Sequence, residues 1–113
     1  MPKFSVIIPV YNCENLIEQC MNSFLSQDYD DYEIIAVDDC STDNSLSVLQ
    51  SINSDKLIVI EQKENGGSAV ARNVGISKAS GEYLWFVDAD DAVVNDSFEK
   101  LERYLSKRDV DTI

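Results

Sequence analysis

Short apolar runs alternate with helical stripes along almost the whole chain, and this alternation restricts the possible folds. Between the runs, apolar residues recur every three or four positions, as they do on one face of a helix. Strands separated by helices predict βαβ units, and therefore an α/β fold with a mainly parallel sheet and helices on both faces. The runs that fit buried strands are residues 4–8, 33–37, 57–60 and 83–87.

Turn and capping residues predict where these segments begin and end. Pro9 is expected to end the first strand, because proline lacks a backbone N–H. Three polar residues are placed to cap helices, and Gly81 breaks the chain before the fourth strand. The predicted caps are Asn12, Asp43 and Ser97. The third helix is expected over residues 69–78. A fifth strand is expected to begin at residues 110–113.

Size and charge limit the classes of function. A chain of 113 residues fits one small domain, residues 1–113. Its formal net charge of −12 argues against binding to a nucleic acid backbone or an anionic membrane. An anionic ligand such as a phosphate would need a metal ion or a few well-placed donors to be held here.

Cysteine usage and the N-terminus predict a cytoplasmic protein. Three cysteines at irregular spacing, with no histidine, do not form a disulfide framework or a zinc motif. Cys20 falls on an apolar helical stripe and is expected to be a core residue. The apolar run after Met1 is too short for a signal peptide or a membrane span.

The segments that follow the four predicted strands are all polar or rich in glycine. In parallel sheets, ligands bind beyond the carboxyl ends of the strands, near the point where strand order reverses. These segments are therefore expected to form one site: residues 11–14, 38–43, 64–72 and 88–91.

Asp88, Asp90 and Asp91 form the most specific pattern. Three carboxylates within four residues repel one another unless a counter-charge is present, and hard oxygen ligands suit Mg²⁺ or Mn²⁺. A metal here would offset the acidic field and stabilise charge on a leaving diphosphate. The simpler alternative is a solvated turn with a helix cap, where aspartate is common.

Aspartates and an aromatic residue after the first two strands predict nucleotide contacts. Asp38 and Asp39 could accept hydrogen bonds from a base or a ribose. Tyr11 could stack against a base, or it could simply cover the end of the sheet. The case for a nucleotide contact by Glu14 is weaker, because the first turn of a helix favours an acidic residue whether or not a ligand binds.

A glycine-containing segment, residues 65–68, precedes the third helix. Its backbone N–H groups could attract a phosphate at the helix N-terminus, although the segment is not a phosphate loop of the G-x-x-x-x-G-K-[ST] type. Arg72, one of nine cationic residues, is placed to meet a ligand phosphate, or to form a surface ion pair. Gly75 is expected to permit close packing of the helix on the sheet.

These stretches resemble the family-2 glycosyltransferases of the GT-A fold, in order and spacing, over nearly the whole chain. Cys40 stands where the family often carries glycine, which is a small departure. The matching stretches are residues 4–12, 37–45, 65–73 and 85–91.

The resemblance implies a Rossmann-like, three-layer α/β/α domain that binds a nucleotide-diphosphate sugar, with UDP favoured, in cell-wall or polysaccharide synthesis. The family's D-x-D motif would be Asp88-Ala89-Asp90, with Asp90 the main ligand for Mg²⁺ or Mn²⁺ and Asp88 nearer the ribose or sugar. The remaining contacts would come from residues around the base, ribose and phosphates: Pro9, Tyr11, Glu14, Asp38, Asp39 and Arg72.

The resemblance also implies a second half that this chain does not contain. Family members continue with strands that bind the acceptor and supply an acidic general base, which removes a proton as the acceptor attacks with inversion. Asp109 and Asp111 are in the wrong place for that role, so the base is expected beyond Ile113. The chain alone is expected to bind donor weakly and to turn over little or not at all; membrane association through the missing regions is an open alternative.

Other classes of protein with acidic loops fit these residues less well. A receiver domain would need an acidic pair after the first strand and a phosphoacceptor aspartate after the third, where residues 61–64 read Glu-Gln-Lys-Glu. An NTPase would need the phosphate loop that the chain lacks. A nucleotidyltransferase and a nucleotide-binding module without catalysis remain open alternatives.

Overall fold

The structure, a computed structural model, describes residues 2–94 and 96–105. Within these ranges strands and helices alternate as predicted. The fifth strand expected at residues 110–113 lies outside the described residues. The elements are β1 (Phe4–Val10), α1 (Ile17–Leu25), β2 (Tyr32–Asp38), α2 (Ser45–Ser51), β3 (Leu57–Glu61), α3 (Ser68–Lys78), β4 (Tyr83–Phe86) and α4 (Ser97–Leu105).

The four strands form one parallel sheet in the order β3-β2-β1-β4. The chain moves outward from β1 to β3 and then crosses back to the opposite side of β1. The order of strands therefore reverses between β1 and β4. In open α/β sheets this reversal opens a crevice at the carboxyl ends of the two strands.

Helices cover both faces of the sheet, which confirms the predicted three-layer α/β/α architecture. Side chains of alternate strand residues point to opposite faces. On one face, Val6 and Ile8 of β1 pack in a core with α1, α2 and α4. On the other face, Ile35 and Val37 of β2 pack against Ala71 of α3.

Pro9 does not end the first strand, contrary to the prediction, since β1 continues to Val10. The carbonyl of Ile7 accepts from Val87, which follows β4, whereas the carbonyl of Val10 accepts from Asp39, which follows β2. Because backbone groups alternate in direction, Pro9 faces the β4 side. The pairing with β4 ends at Ile7, so the missing N–H of Pro9 removes no hydrogen bond from that ladder.

Two of the predicted helix caps are wrong. Asn12 has a φ of 52° and lies well before α1; its side-chain oxygen accepts from the N–H of Thr42 at 2.8 Å. Ser97 is the first residue of α4, and its hydroxyl accepts from Gln27 Nε2 at 2.8 Å, which links α4 to the end of α1. Both side chains bind a partner distant in sequence rather than their own helix.

Asp43 acts at the start of α2 as predicted, although Asn44 occupies the position directly before the helix. Its Oδ1 accepts from the N–H of Ser45 at 2.9 Å, and its Oδ2 accepts from the N–H of Glu14 at 3.2 Å. Asp43 therefore ties α2 to the loop after β1. The same carboxylate thus stabilises the start of the helix and the loop.

The helices are short. In the described part of the chain the longest is α3, with 11 residues. Within residues 2–94 and 96–105, no helix has both the length and the apolar character needed to cross a bilayer.

Candidate functional site

A cleft of about 280 Å³ lies at the carboxyl ends of β1 and β4, where the strand order reverses. Most of the predicted site residues meet here, including Tyr11, Asp39 and the D-x-D stretch. Cys13 and Ser68 also line the cleft, although neither was predicted as a site residue. Both lie in segments that follow a strand and that were predicted to form the site. The lining residues are Pro9, Val10, Tyr11, Cys13, Asp39, Ser68, Asp88, Ala89 and Asp90.

Three exposed aspartates gather at the tip of β4. Asp88, Asp90 and Asp91 each offer a carboxylate oxygen within 4.8 Å of the others. A turn brings them together, because the N–H of Asp91 donates to the carbonyl of Asp88 at 3.0 Å. The sequence predicted a metal at this cluster of three, and the resemblance singled out Asp88 and Asp90 as its ligands. Exposed carboxylate oxygens at this spacing fit a divalent cation such as Mg²⁺ or Mn²⁺.

Arg72 reaches this acidic turn from α3. Its Nη2 lies 3.6 Å from Oδ1 of Asp88, and both side chains are substantially exposed. The pair borders an open hollow of about 640 Å³ on the β4 side of the site, next to Trp85. The resemblance implied a position for Arg72 near Asp39 and the nucleotide; the ion pair that the structure shows for it is with Asp88.

The carboxylate of Asp39 is occupied by the glycine-containing segment. Oδ1 accepts from the N–H of Gly66 and Oδ2 from the N–H of Gly67, both at 2.9 Å. These two N–H groups were predicted to attract a phosphate, and that prediction is wrong for them. Each oxygen of Asp39 retains a lone pair for a further donor.

Asp38 and Glu14 do not line the cleft. Asp38 is 2% exposed, and its carboxylate accepts from the N–H of Ser41 at 3.1 Å and from its hydroxyl at 2.7 Å. Glu14 contributes a backbone N–H to Asp43 rather than a side chain to the cleft. Tyr11, by contrast, is 47% exposed at the cleft, so its ring is accessible to a ligand.

Cys20 lies beneath the acidic turn and is a core residue, as predicted. Burial, reinforced by the nearby charges of Asp91, Cys13 and Asp90, raises the pKa of the Cys20 thiol to about 12. The thiol remains protonated at neutral pH, with its Sγ 3.9 Å from the carbonyl of Asp88. All three cysteines are free thiols.

Known proteins resemble this chain in sequence and in fold. The sequence model of glycosyl transferase family 2 matches residues 5–113. The putative teichuronic acid biosynthesis glycosyltransferase TuaG of Bacillus subtilis is 39% identical over 109 residues, which cover 95% of this chain and 43% of TuaG.

Two solved structures share the fold. TarS from Staphylococcus aureus, in complex with UDP-GlcNAc, matches with a TM-score of 0.87 at 37% identity, over 93% of this chain and 31% of that one. The mannosyltransferase PcManGT from Pyrobaculum calidifontis, in complex with GDP-Man and Mn²⁺, matches with a TM-score of 0.85 at 31% identity, over 93% and 32%.

The chain spans less than half the length of each of these relatives. The resemblance inferred from the sequence is nevertheless confirmed by the family match and by both structures. This chain belongs to glycosyltransferase family 2 and has the GT-A fold.

Proposed function

We propose that this chain is the donor-binding half of a metal-dependent, inverting glycosyltransferase. The observation that carries the proposal is the cleft at the strand-order reversal, with three carboxylates gathered at its edge. The neighbours TarS and PcManGT, which hold UDP-GlcNAc and GDP-Man, support a nucleotide-diphosphate sugar as ligand. UDP is the favoured nucleotide because the uridine-bound neighbour has the higher identity.

Charge explains why a metal is part of the proposal. The chain carries a net charge of −12, and a diphosphate would approach Asp88 and Asp90 directly. These two residues, with Asp91 in reach, would hold a divalent cation that offsets the carboxylates and stabilises charge on the leaving diphosphate. The Mn²⁺ bound in PcManGT is consistent with this assignment.

The other lining residues have complementary roles. Tyr11, exposed at the cleft, stacks on the base, and Pro9 forms part of the floor. Asp39 accepts a hydrogen bond from the base through a lone pair that its glycine partners leave free. Arg72 donates to a phosphate from beside Asp88, and Ala89, being small, leaves room for the ligand.

The proposed reaction needs a group that the described residues do not provide. The acceptor hydroxyl attacks the anomeric carbon from the face opposite the diphosphate, and the bond from that carbon to the diphosphate oxygen breaks. Configuration inverts, and the hydroxyl proton passes to an acidic general base. We assign the base and the acceptor site to the remainder of the full-length protein, since the relatives are more than twice as long.

Calorimetric titration with UDP and Mn²⁺ tests the proposal. Asp90→Asn, and separately chelation of the metal, should each weaken UDP binding by roughly tenfold or more, about 1.4 kcal/mol. Glu82→Gln is the matched control, because it removes an exposed charge next to the opposite end of β4. Unchanged affinity after both treatments would contradict the proposal.

Turnover by the full-length protein separates an enzyme from a nucleotide-binding module without catalysis. We expect release of UDP from a UDP-sugar only when an acceptor is present and only with the complete protein. Donor binding without any turnover by the complete protein would favour the module.

A further inference from the structure

Asp39 lies where three segments of the chain meet. Its backbone N–H donates to the carbonyl of Val10 at 2.8 Å, which joins the ends of β1 and β2. The residue is 4% exposed, and its side chain accepts from the N–H groups of Gly66 and Gly67, 27 and 28 positions further along the chain. Hydrogen bonds to a carboxylate are stronger than neutral ones. Asp39 therefore fixes the segment before α3 to the sheet.

Gly67 is the N-cap residue, directly before the first residue of α3. Its carbonyl accepts from the N–H of Ala71 at 3.1 Å, within the first turn of the helix. Its φ is +87°, a backbone conformation that glycine adopts without steric cost. A group that holds Gly67 therefore also sets the position of the N-terminal turn of α3.

Arg72 lies one turn into the same helix, and its guanidinium lies beside Asp88. A continuous series of contacts thus runs from Asp39 through Gly67 and α3 to Arg72. It joins the end of β2 to the acidic turn after β4, with β1 between them.

We infer that Asp39 is a positioning residue for the diphosphate part of the donor, in addition to any contact with the base. Its carboxylate holds Gly66 and Gly67 and thereby places Arg72 beside the acidic turn. The part of this inference that concerns the ligand rests on the proposed function; the anchoring of the segment does not. Asparagine at this position would turn an N–H₂ group toward one of the two glycine N–H groups.

Amide hydrogen exchange measured by NMR tests the anchoring. In Asp39→Asn the amides of Gly66 and Gly67 should exchange at least about tenfold faster than in the wild type. Asp90→Asn is the matched control, since this substitution removes a carboxylate from the same cleft. The two glycine N–H groups donate to Asp39 and not to Asp90. Unchanged exchange in Asp39→Asn would overturn the inference.

A measurement on the unmodified protein covers the case in which Asp39→Asn does not fold. Scalar couplings across hydrogen bonds, from the Gly66 and Gly67 nitrogens to the carboxylate carbon (Cγ) of Asp39, should be observed in the wild type. Their absence would overturn the anchoring without any variant.

A double-mutant cycle tests whether Asp39 acts through Arg72. Asp39→Asn should weaken binding of UDP with Mn²⁺ at least about threefold more in the wild-type background than in Arg72→Ala. A residue that contacted only the base would give the same loss in both backgrounds, and that result would overturn the positioning role. If the wild type binds no UDP, the proposed function fails, and hydrogen exchange alone decides the anchoring.

Discussion

The guanidinium of Arg72 and the carboxylate of Asp88 form an ion pair at 3.6 Å that links α3 to the tip of β4. The helix α3 packs over β1 and β2, whereas β4 is the edge strand next to β1. The pairing of the two residues places a cation next to the carboxylate that is expected to meet the ligand. We expect this ion pair to contribute little to the stability of the fold, and we expect Arg72 to contribute much more to the binding of UDP.

Arg72→Ala should weaken the binding of UDP far more than it destabilises the protein. The ion pair is exposed, so its contribution to folding is about 0–1 kcal/mol. A charged hydrogen bond to a phosphate contributes about 1.5–3 kcal/mol, which predicts a loss of affinity of at least roughly tenfold. Calorimetry with UDP and Mn²⁺, together with urea unfolding, measures the two effects.

Arg103→Ala provides the control for this prediction, because Arg103 pairs with Glu99 on α4, away from the cleft. It should leave UDP affinity unchanged. Equal affinities of Arg72→Ala and the wild type would show that Arg72 does not contact the ligand.

Gly75→Ala should destabilise the protein. A Cβ at Gly75 would lie 2.6 Å from Cγ2 of Ile7, a fully buried residue of β1 that has little room to move. Overpacking of this kind costs about 1–3 kcal/mol. A contact this short favours the upper part of that range, which exceeds the gain of about 1 kcal/mol in helix propensity.

Asn73→Ala on the same helix is the comparison for Gly75→Ala, because Asn73 is exposed. It should raise stability by a few tenths of a kcal/mol, roughly the difference in propensity. Both are measured by urea unfolding. A Gly75→Ala variant as stable as the wild type would mean that α3 does not approach β1 as closely as described.

Asp43→Ala should reduce stability in a pH-dependent way. Burial acts to raise the pKa of Asp43, but hydrogen bonds from the side chain and backbone of Ser45 and the backbone of Glu14 outweigh it and lower the pKa. A folded-state pKa below the unfolded one means that the stabilisation is present above the ordinary aspartate pKa of about 3.9 and is lost as pH falls through the lower value.

At neutral pH the loss of this cap should therefore cost about 1 kcal/mol. The difference between the wild type and Asp43→Ala should shrink as the pH is lowered toward the folded-state pKa. Urea unfolding at pH 7 and in acid measures it. A difference that stays constant or grows on acidification would contradict the role of the charged carboxylate.

Local patterns were sufficient for the general architecture. Runs such as Tyr83–Phe86 and the stripe on α1 predict strand and helix because burial requires apolar residues at the period of each element. The position of the cleft could also be predicted from the sequence. The four strands are parallel, so the segments that follow them lie together at the carboxyl ends of the strands. The cluster of Asp88, Asp90 and Asp91 is local in sequence and was visible directly.

Neighbours in the sequence can still differ in role, and Asp38 and Asp39 show this. Asp38 ends β2, and Asp39 follows it with its N–H still hydrogen-bonded to the carbonyl of Val10. Successive side chains of extended backbone point in opposite directions, so Asp38 turns back to Ser41 whereas Asp39 faces the cleft and Gly66. The two residues are the same amino acid, and the hydrophobic period of the sequence does not distinguish them.

The sequence by itself determined the parallel α/β sandwich, the edge that carries the site and the acidic turn, because each depends on hydrophobic period or on residues close together in the chain. Only the tertiary structure decided the partners of Asn12, Asp39 and Arg72, which bind residues 16 to 30 positions away. The physical reason is that a polar or charged group pairs with whichever partner the folded chain brings within roughly 3–4 Å. That partner depends on how the helices cross the sheet.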